Sequence, residues 1–319
     1  TDVQNKIGIL KTIAVNVKEF GAKGDGIADD YQAIKDAVAV INANGGGTLI
    51  FPPGTYKIDR YKITGGPNKN NVTDIVFDGC KSLKITGYGA KVEVKGDFHR
   101  SADYTAGNSK YSYSNCVQPF VIRNCENVCI EGLEIDGNVD LMTRDADVAE
   151  NAGYGINLIS SKNVTLLNLY VHHFQTDGIY IDGRPTICRN VVAINVKSTN
   201  NARQGMSIIQ LRNGTFINCE FSDTGHTGAY GGHNPRAGVD IEPNFAPPNV
   251  EEKTGDISFI GCKFKNNMNF QFNSAHPYSV ENVYLRDCSI IADQSTYQYT
   301  VVMACDNGII ENCFLDVGN

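Results

Sequence analysis

A nine-residue pattern recurs along the chain: Asn, small apolar, any, apolar, any, Asn or Gly, apolar, any, apolar. It is seen as NVCIEGLEI from Asn127, NVTLLNLYV from Asn163 and NGTFINCEF from Asn213. Apolar and polar residues alternate with period two inside each copy, which is strand geometry, and the central Asn or Gly tolerates a left-handed turn. Each copy therefore predicts two short strands joined by a tight turn.

A third apolar–polar run precedes the later copies, as in GIYID from Gly178, GMSII from Gly205 and GVDIE from Gly238. Successive copies from Asn127 onward are separated by 36, 27, 23, 43, 26 and 25 residues. A period of about 20–30 residues indicates a solenoid. Because the Leu ladder and helical segments of leucine-rich repeats are missing, three strands per turn predict an all-β fold, a parallel β-helix.

The seventh position of the pattern predicts an inward column with about 4.8 Å between rungs. Its members are Leu133, Leu169, Val196, Cys219, Cys262, Cys288 and Cys313. Regularly spaced cysteines could form a metal or redox ladder. Since Leu and Val fill the same column, we interpret these residues as a stack of buried thiols.

The segment FGAKGDGIADDYQAI, followed by GGGTLIFPPGTYKI, differs from the repeats. Asp29 or Asp30 can cap a helix that ends at Asn44-Gly45. Its apolar face is Ile34, Val38 and Ile41, at i, i+4 and i+7. Such an N-terminal capping α-helix would seal the open hydrophobic end of a β-helix.

The composition narrows the possible partners. The 319 residues are 41% hydrophobic and carry a net charge of −7, which argues against nucleic acid because a phosphate-tracking surface needs clustered Lys and Arg. No apolar stretch approaches the length of about 18 residues that a membrane span needs. The ten cysteines show no C-x-x-C metal spacing, so neither a metal site nor a cofactor is predicted from them.

The capping segment and the repeats together resemble the pectate-lyase-like superfamily, which includes polygalacturonases and bacteriophage tailspike depolymerases. The resemblance implies a right-handed parallel β-helix acting on carbohydrate, with a cap over residues 1–60 continuous with coils over 61–319. One scaffold of this kind carries hydrolases, lyases and non-cleaving binders, so the resemblance does not fix the reaction.

Aligned third strands place outward side chains in two columns. One column is Asn157, Tyr180, Ser207, Asp240 and Gln271, and the other is Ile159, Asp182, Ile209, Glu242 and Asn273. We expect Asp240 and Glu242 to share a solvent-facing groove, roughly 6–7 Å apart, with Asp182 about 9–10 Å from Glu242. Asp177 begins the strand that carries Asp182.

Paired carboxylates at such separations suit glycoside hydrolysis, in which one acid protonates the leaving oxygen and the other activates water. Crowding of like charges raises one pKa and supplies the acid. We predict Asp240, Glu242, Asp182 and Asp177 as catalytic residues, although any isolated acid would be an ordinary surface residue. Calcium binding by the same oxygens is a further reading, and it would suit a lyase.

The predicted substrate-binding residues surround these acids. Arg203 and Arg236 occupy matching positions and could clamp a sugar carboxylate or neutralise the acids. The other predicted substrate-binding residues are Gln204, Tyr180, His226 and His233. A loop histidine beside carboxylates could be a general base but is more often solvated. His172 and His173 are read as structural, one facing in and one out.

Within the superfamily, QTDGIYI resembles the polygalacturonase NTD signature and places Asp177 at its acidic position. RQGMS stands where an adjacent Asp pair is expected, GHTG replaces Gly-His-Gly, and no Arg-Ile-Lys follows. The segments RQGMSI and AGVDIEPN look more like bacterial and phage β-helix proteins that act on capsules or exopolysaccharides. That resemblance points to Arg203, Asp240 and Glu242.

The resulting expectation is an endo-glycosidase on a bacterial surface polysaccharide, with no cofactor. The alternatives are a polysaccharide lyase, for which calcium is possible, and a non-cleaving glycan-binding fibre. Resemblance to tailspikes implies a possible homotrimer located outside the cell or on a virion. The repeats run to NCFLDVGN without a closing element, from which we expect either a truncated chain or a neighbour that covers that end.

Overall fold

The structure is a computed structural model. It describes residues 13–59, 62–63, 74–94, 115–141, 153–226, 232, 234–244, 247, 252–276, 278–292 and 300–316. The strands of the coils pair in parallel with the equivalent strands one coil away, which confirms the predicted parallel β-helix. The predicted lack of crossover helices also holds, since the single α-helix of the described residues lies near the N-terminus.

Three stacks of strands form the walls. Sheet 1 consists of Val76–Asp78, Phe120–Arg123, Ile156–Ile159, Asp177–Asp182, Gln204–Ile208, Ala237–Ile241, Phe272–Ser274 and Val301–Met303. Sheet 2 consists of Gly46–Ile50, Ser82–Val94, Glu126–Asp136, Lys162–Leu167, Cys188–Ile194, Leu211–Ile217, Thr254–Ile260, Val280–Arg286 and Asp306–Glu311.

Sheet 3 is continuous with sheet 2 through the ends of two long strands, Ser82–Val94 and Glu126–Asp136. Its other strands are Gly54–Ile58, Tyr170–His172, Lys197–Thr199, Glu220–Ser222, Lys263–Lys265, Ser289–Ile291 and Phe314–Asp316. Two strands of the cap, Ala14–Asn16 and Asp25–Asp29, extend sheets 2 and 3. A separate antiparallel pair joins Lys62–Ile63 to Asn115–Cys116.

Asparagines make the corners, as the repeat predicts. Asn168 and Asn195, between sheets 2 and 3, have φ of 51° and 54°, and Asn127 and Asn163, at the start of their repeats, each have φ of 55°. Asn tolerates this left-handed conformation better than most residues. The Asn163 amide also donates to the Asn127 Oδ1 at 3.0 Å, so the corner side chains link successive coils.

The interior column predicted from the seventh position faces the core. Its buried members, each at most 2% exposed, are Leu133, Leu169, Val196, Cys219, Cys262 and Cys288. Cys313 is partly buried against the same core. Aromatic residues fill the later coils, where the rings of Phe216 and Phe259 stack at 4.7 Å.

The predicted capping helix spans Tyr31–Ala43 and packs on the first coils, with a 3₁₀ turn at Val17–Phe20 before it. Ile34, Val38 and Ile41, its predicted apolar face, are all buried. The two candidate capping acids, Asp29 and Asp30, bind different backbone groups. Asp29 Oδ1 accepts from the Tyr31 N–H, whereas Asp30 accepts from the backbone of Lys23 and Gly24. Among the described residues, no helix is long and apolar enough to cross a membrane.

Candidate active site

Sheet 1 brings the predicted acids together through its register. Ser207 pairs with Tyr180 on one side and Asp240 on the other, as the aligned columns predict. The next partner of Asp240 is Asn273, so the prediction of Gln271 is wrong by two residues. The physical reason is a turn, in which the buried Gln271 side chain folds back and accepts from Asn267 at 2.8 Å.

One guanidinium connects two of the acids. Arg203 Nη2 donates to both carboxylate oxygens of Glu242, at 2.7 and 3.0 Å, and Nη1 donates to Asp177 Oδ2 at 3.1 Å. The same Asp177 oxygen accepts from Ser207 Oγ at 2.9 Å. Asp177 is fully buried, which differs from the expectation of an acid facing the groove, while the Glu242 side chain keeps 22% of its surface exposed.

Asp240 is 2% exposed, so the prediction that it faces solvent is wrong. Its side chain leaves the outer face of sheet 1 but is covered by partners from two neighbouring strands. Asn273 Nδ2 donates to Oδ1 at 2.8 Å, and Gln204 Nε2 donates to Oδ2 at 2.7 Å. Burial, followed by the charge of Glu242, raises the pKa of Asp240 to about 8. This carboxyl group is therefore largely protonated at neutral pH.

The amide of Gln204 can accommodate that proton. In the observed orientation Gln204 Oε1 is buried and has no hydrogen-bond partner among the described residues. If the Gln204 amide rotated by half a turn, its Oε1 would accept a hydrogen bond from protonated Asp240. Gln204 is fully buried, so its predicted role as a ligand for substrate hydroxyls is wrong. Its side chain instead binds Asp240.

Asp182 lies at the edge of the same surface and is held by a different cation. Arg184 donates to Asp182 Oδ1 at 2.5 Å and Oδ2 at 2.9 Å, and reaches the Tyr180 hydroxyl at 3.4 Å. Burial, then the charge of Asp182, raises the pKa of Tyr180 beyond its usual range. The Tyr180 ring is 7% exposed and stacks on Tyr154 at 4.3 Å, so little of it is free to contact a sugar.

Two other predicted residues, Arg236 and His226, make no hydrogen bond or ion pair with the acids in the described part of the chain. Arg236 follows Arg203 by one coil, but its guanidinium donates to Gly232 O at 2.7 Å and contacts Met268 Sδ. These contacts differ from the expected neutralisation of the acids. His226 is half-buried, and its Nε2 is buried with no partner in the described part of the chain. His233 lies outside the described residues.

Sheet 1 and the residues that flank its strands thus hold two hydrogen-bonded groups, and the charge of Glu242 acts on Asp240 between them. We term the two groups together the acidic cluster: Asp177, Arg203, Gln204, Asp240, Glu242 and Asn273. The residues that sequence reasoning missed as partners are Ser207, Asn273, Arg184 and Tyr154. The sequence alignment placed Asn273 in the column of Glu242 and not in that of Asp240, because the register was wrong by two residues. Arg184 follows Asp182 by two residues, the spacing at which side chains of one strand share a face, so it could have been found.

A concave surface lies apart from the acidic cluster, on the outer face of sheet 3. This groove has a volume of about 910 Å³. Its lining includes Lys91, Glu134, Tyr170, Lys197, Asn200 and Asp223, and none of the predicted site residues. The predicted site residues therefore lie outside this groove. We refer to this surface as the outer groove.

Comparison with known proteins places the fold in a family. Residues 65–246, more than half of the chain, match the model described as right handed beta helix region. Residues 14–65 match the model described as rhamnogalacturonase A/epimerase, pectate lyase-like. The chain therefore belongs to the right-handed β-helix family, and its N-terminal part is similar to the pectate-lyase-like group.

Individual proteins are similar over part of their length. A mannuronan C5-epimerase, AlgE1 of Azotobacter vinelandii, is 27% identical over 226 residues, which are 62% of this chain and 14% of the epimerase. The ORF18 protein of Geobacillus virus E2 superposes with a TM-score of 0.58 at 24% identity, covering 98% of this chain and 55% of that protein.

A tailspike protein, gp49 of the Acinetobacter baumannii bacteriophage Fri1, is described as a capsular polysaccharide depolymerase. It superposes with a TM-score of 0.50 at 15% identity, covering 94% of this chain and 50% of gp49. The chain spans 14% of AlgE1 and about half of each viral protein. At these identities the two structural matches establish the shared fold.

Proposed function

We propose that the chain is an endo-acting glycoside hydrolase that cleaves a bacterial capsular or exocellular polysaccharide at the acidic cluster. The observation that carries the proposal is the pairing of a buried acid, Asp240, with a carboxylate held by a guanidinium, Glu242. The two differ in their surroundings, because burial raises the pKa of Asp240, whereas Glu242 is partly exposed and accepts hydrogen bonds from Arg203. Glycoside hydrolysis needs one group of each kind.

The roles follow from access and charge. Glu242 is the more exposed of the two and is the carboxylate that would activate water or stabilise the developing positive charge on the sugar. Its raised pKa assigns Asp240 the proton for the leaving oxygen. Because Asp240 is 2% exposed, a bound sugar must displace part of the cover that Gln204 and Asn273 provide. Arg203 positions Glu242, and the fully buried Asp177 in turn holds Arg203.

Polysaccharide as the substrate class is supported by two independent comparisons. AlgE1 is named for its action on mannuronan, and gp49 is described as a depolymerase of capsular polysaccharide. The viral origin of ORF18 and gp49 also supports a location outside the cell or on a virion. A homotrimer remains our proposal for the assembled protein, and light scattering coupled to size exclusion measures it directly.

A polysaccharide lyase is less well supported by the same contacts. A lyase would need a base beside the uronate, and Arg203 is already committed to two carboxylates. Tyr180 is a poor base as well, because burial raises its pKa and keeps the hydroxyl protonated. Neither residue is therefore available to abstract a proton at neutral pH.

The experiment incubates the protein with a panel of bacterial capsular polysaccharides and follows two signals. A hydrolase releases reducing ends without ultraviolet absorbance, whereas a lyase creates a double bond that absorbs in the ultraviolet. Reducing ends alone would support the proposal. Growth of the absorbance, or tight glycan binding with neither signal, would overturn it in favour of a lyase or a binding fibre.

A further inference from the structure

The edge of the outer groove carries a cluster of metal-ligating side chains that the proposed function does not use. Asp136, His172 and His173 each present a ligand atom, and these atoms lie within 4.8 Å of one another. Asp136 and His172 are buried, at 8% and 5% exposure, and the His173 side chain is 27% exposed. The three come from two adjacent coils, because Asp136 pairs with His172 across sheet 3.

Both imidazoles are oriented by carboxylates. His172 Nε2 lies 3.3 Å from Glu134 Oε1, and His173 Nε2 lies 3.2 Å from Asp140 Oδ2. A carboxylate on Nε2 favours the tautomer with the proton on that nitrogen, which leaves Nδ1 as a lone-pair donor. Carboxylate–histidine pairs of this kind orient the first ligands of many metal sites.

The two Nδ1 atoms therefore face each other as lone pairs. They are 2.6 Å apart, and His172 Nδ1 lies 3.5 Å from Asp136 Oδ1. Two lone pairs at that distance repel unless a proton or a cation lies between them. A tetrahedral ion with bonds of about 2.0 Å holds its ligands about 3.3 Å apart, so the two nitrogens would separate by about 0.7 Å and no pair of ligand atoms would need to close by more than about 1.5 Å.

The backbone at His173 contributes to this arrangement. His173 has a φ of 56°, and the next three coils place Asn200, Asp223 and Asn266 at the equivalent corner, all with positive φ. Asn and Asp are common in that conformation, while an imidazole there is less usual. The positive φ at this corner turns the His173 ring toward His172. His173 therefore departs from the Asn or Asp of the later coils and supplies the second imidazole.

The surrounding charge favours a cation. Lys91 donates to Asp136 Oδ2 at 2.6 Å and also lies 3.4 Å from Glu93 and from Glu134. With Asp136 and Asp140 the neighbourhood holds four carboxylates and two ammonium groups, since Lys57 also lies 3.6 Å from Glu93. Asp136 Oδ1, the oxygen that is not bonded to Lys91, accepts from the Asn138 N–H at 2.9 Å and has a further lone pair toward His172.

We propose that Asp136, His172 and His173 bind a divalent transition-metal ion of the zinc class at the edge of the outer groove. Two imidazoles and a carboxylate suit such ions and not calcium, which takes oxygen ligands. Three protein ligands leave a coordination position for water or for an oxygen of a bound ligand. The site departs from the sequence expectation of no metal and does not depend on the acidic cluster.

The Tyr170 ring connects the site to the groove. It stacks on His172 at a centroid distance of 4.1 Å, and Tyr170 lines the groove together with Lys91 and Glu134. An ion held by His172 would therefore lie beside any ligand bound in the groove.

The test is calorimetric titration of chelator-treated full-length chain with ZnCl₂, with CaCl₂ as the comparison ion. We expect one zinc ion per chain and at least a tenfold weaker affinity for calcium. His173→Asn is the decisive variant, because the next coil carries Asn200 at the same corner and the backbone can be kept. His276→Ala, which removes an imidazole elsewhere, is the matched control.

His173→Asn and His172→Ala should each weaken zinc binding at least tenfold, while His276→Ala should bind as the unchanged protein does. Circular dichroism confirms that each variant is folded. No zinc binding by the unchanged protein, or equal binding by His173→Asn, would overturn the site. Neither outcome bears on polysaccharide cleavage, which the acidic cluster determines.

Discussion

Arg203 Nη2 donates to both oxygens of Glu242, although 39 residues separate the two along the chain. The Arg203 side chain is 11% exposed, and its other end reaches the fully buried Asp177. The β-helix makes this possible, because residues one coil apart along the sequence become neighbours across a parallel sheet. The pair is therefore both a structural link between coils and the frame of the candidate active site.

Replacing Arg203 should destabilise the fold strongly. Arg203→Met leaves the Asp177 carboxylate buried without its guanidinium, and removing one partner of a buried pair costs about 3–5 kcal/mol. Arg184→Met is the matched control, since its pair with Asp182 is exposed on the arginine side and should contribute about 1 kcal/mol or less. Urea unfolding of the two variants measures both, and equal losses would contradict a buried role for Arg203.

Asp240 should make stability depend on pH. The unfolded chain releases this proton near pH 4, whereas the folded chain keeps it until about pH 8. The folded state therefore binds more protons across that window, and its stability falls as pH rises from about 4 to about 8. Asp240→Asn imitates the protonated carboxyl and removes this contribution.

Thermal unfolding midpoints of Asp240→Asn should therefore exceed those of the unchanged protein by an amount that grows with pH up to about 8. At pH near 4 the two proteins should unfold at similar temperatures. Parallel curves over the whole range would mean that Asp240 is already ionised when folded.

Asn273 should influence the pKa of Asp240. Its amide hydrogen bond lowers the pKa of Asp240, against the larger effect of burial. Asn273→Ala should therefore move the alkaline limb of the cleavage rate to higher pH, because Asp240 would keep its proton longer. Gln271→Ala removes the neighbouring turn contact to Asn267 and should leave that limb in place. If Gln271→Ala shifted the alkaline limb and Asn273→Ala did not, Gln271 would be the neighbour of Asp240, as the sequence predicted.

The interior thiols should behave as packing groups. The described cysteines are all free, and Cys219, Cys262 and Cys288 are buried in one column. Cys262→Ala should lower the free energy of unfolding by about 1–2 kcal/mol through the small cavity it creates. A reductant should leave the unfolding midpoint of the unchanged protein where it is. A clear drop on reduction would indicate a disulfide.

Much of the fold could be predicted because the signal is local. Apolar alternation fixes which side chains face the core, and a slip of one residue would turn them all outward. That constraint carried the register correctly from Asn157 through Ser207 to Asp240. It failed at Gln271, because the turn at 267–271 interrupts the alternation before the strand restarts at Phe272.

The environment of the site could not be predicted in the same way. An outward position in a strand says nothing of what covers it, and Asp240 is buried by Gln204 and Asn273 from two other coils. The outer groove was not predicted, because it lies on sheet 3 and the candidate acids lie on sheet 1. His172 and His173 were read as structural, since sequence does not show that a corner turns one ring toward the other.

The most direct test of the account is the cleavage rate of Glu242→Gln on a polysaccharide that the unchanged protein degrades, with reducing ends as the signal. Glu252→Gln is the control, because Glu252 is also paired with arginines, Arg189 and Arg212, but lies outside the acidic cluster. We expect Glu242→Gln to lose about 10²–10⁴-fold in rate and Glu252→Gln to retain it. Full turnover by a folded Glu242→Gln would contradict the proposed active site.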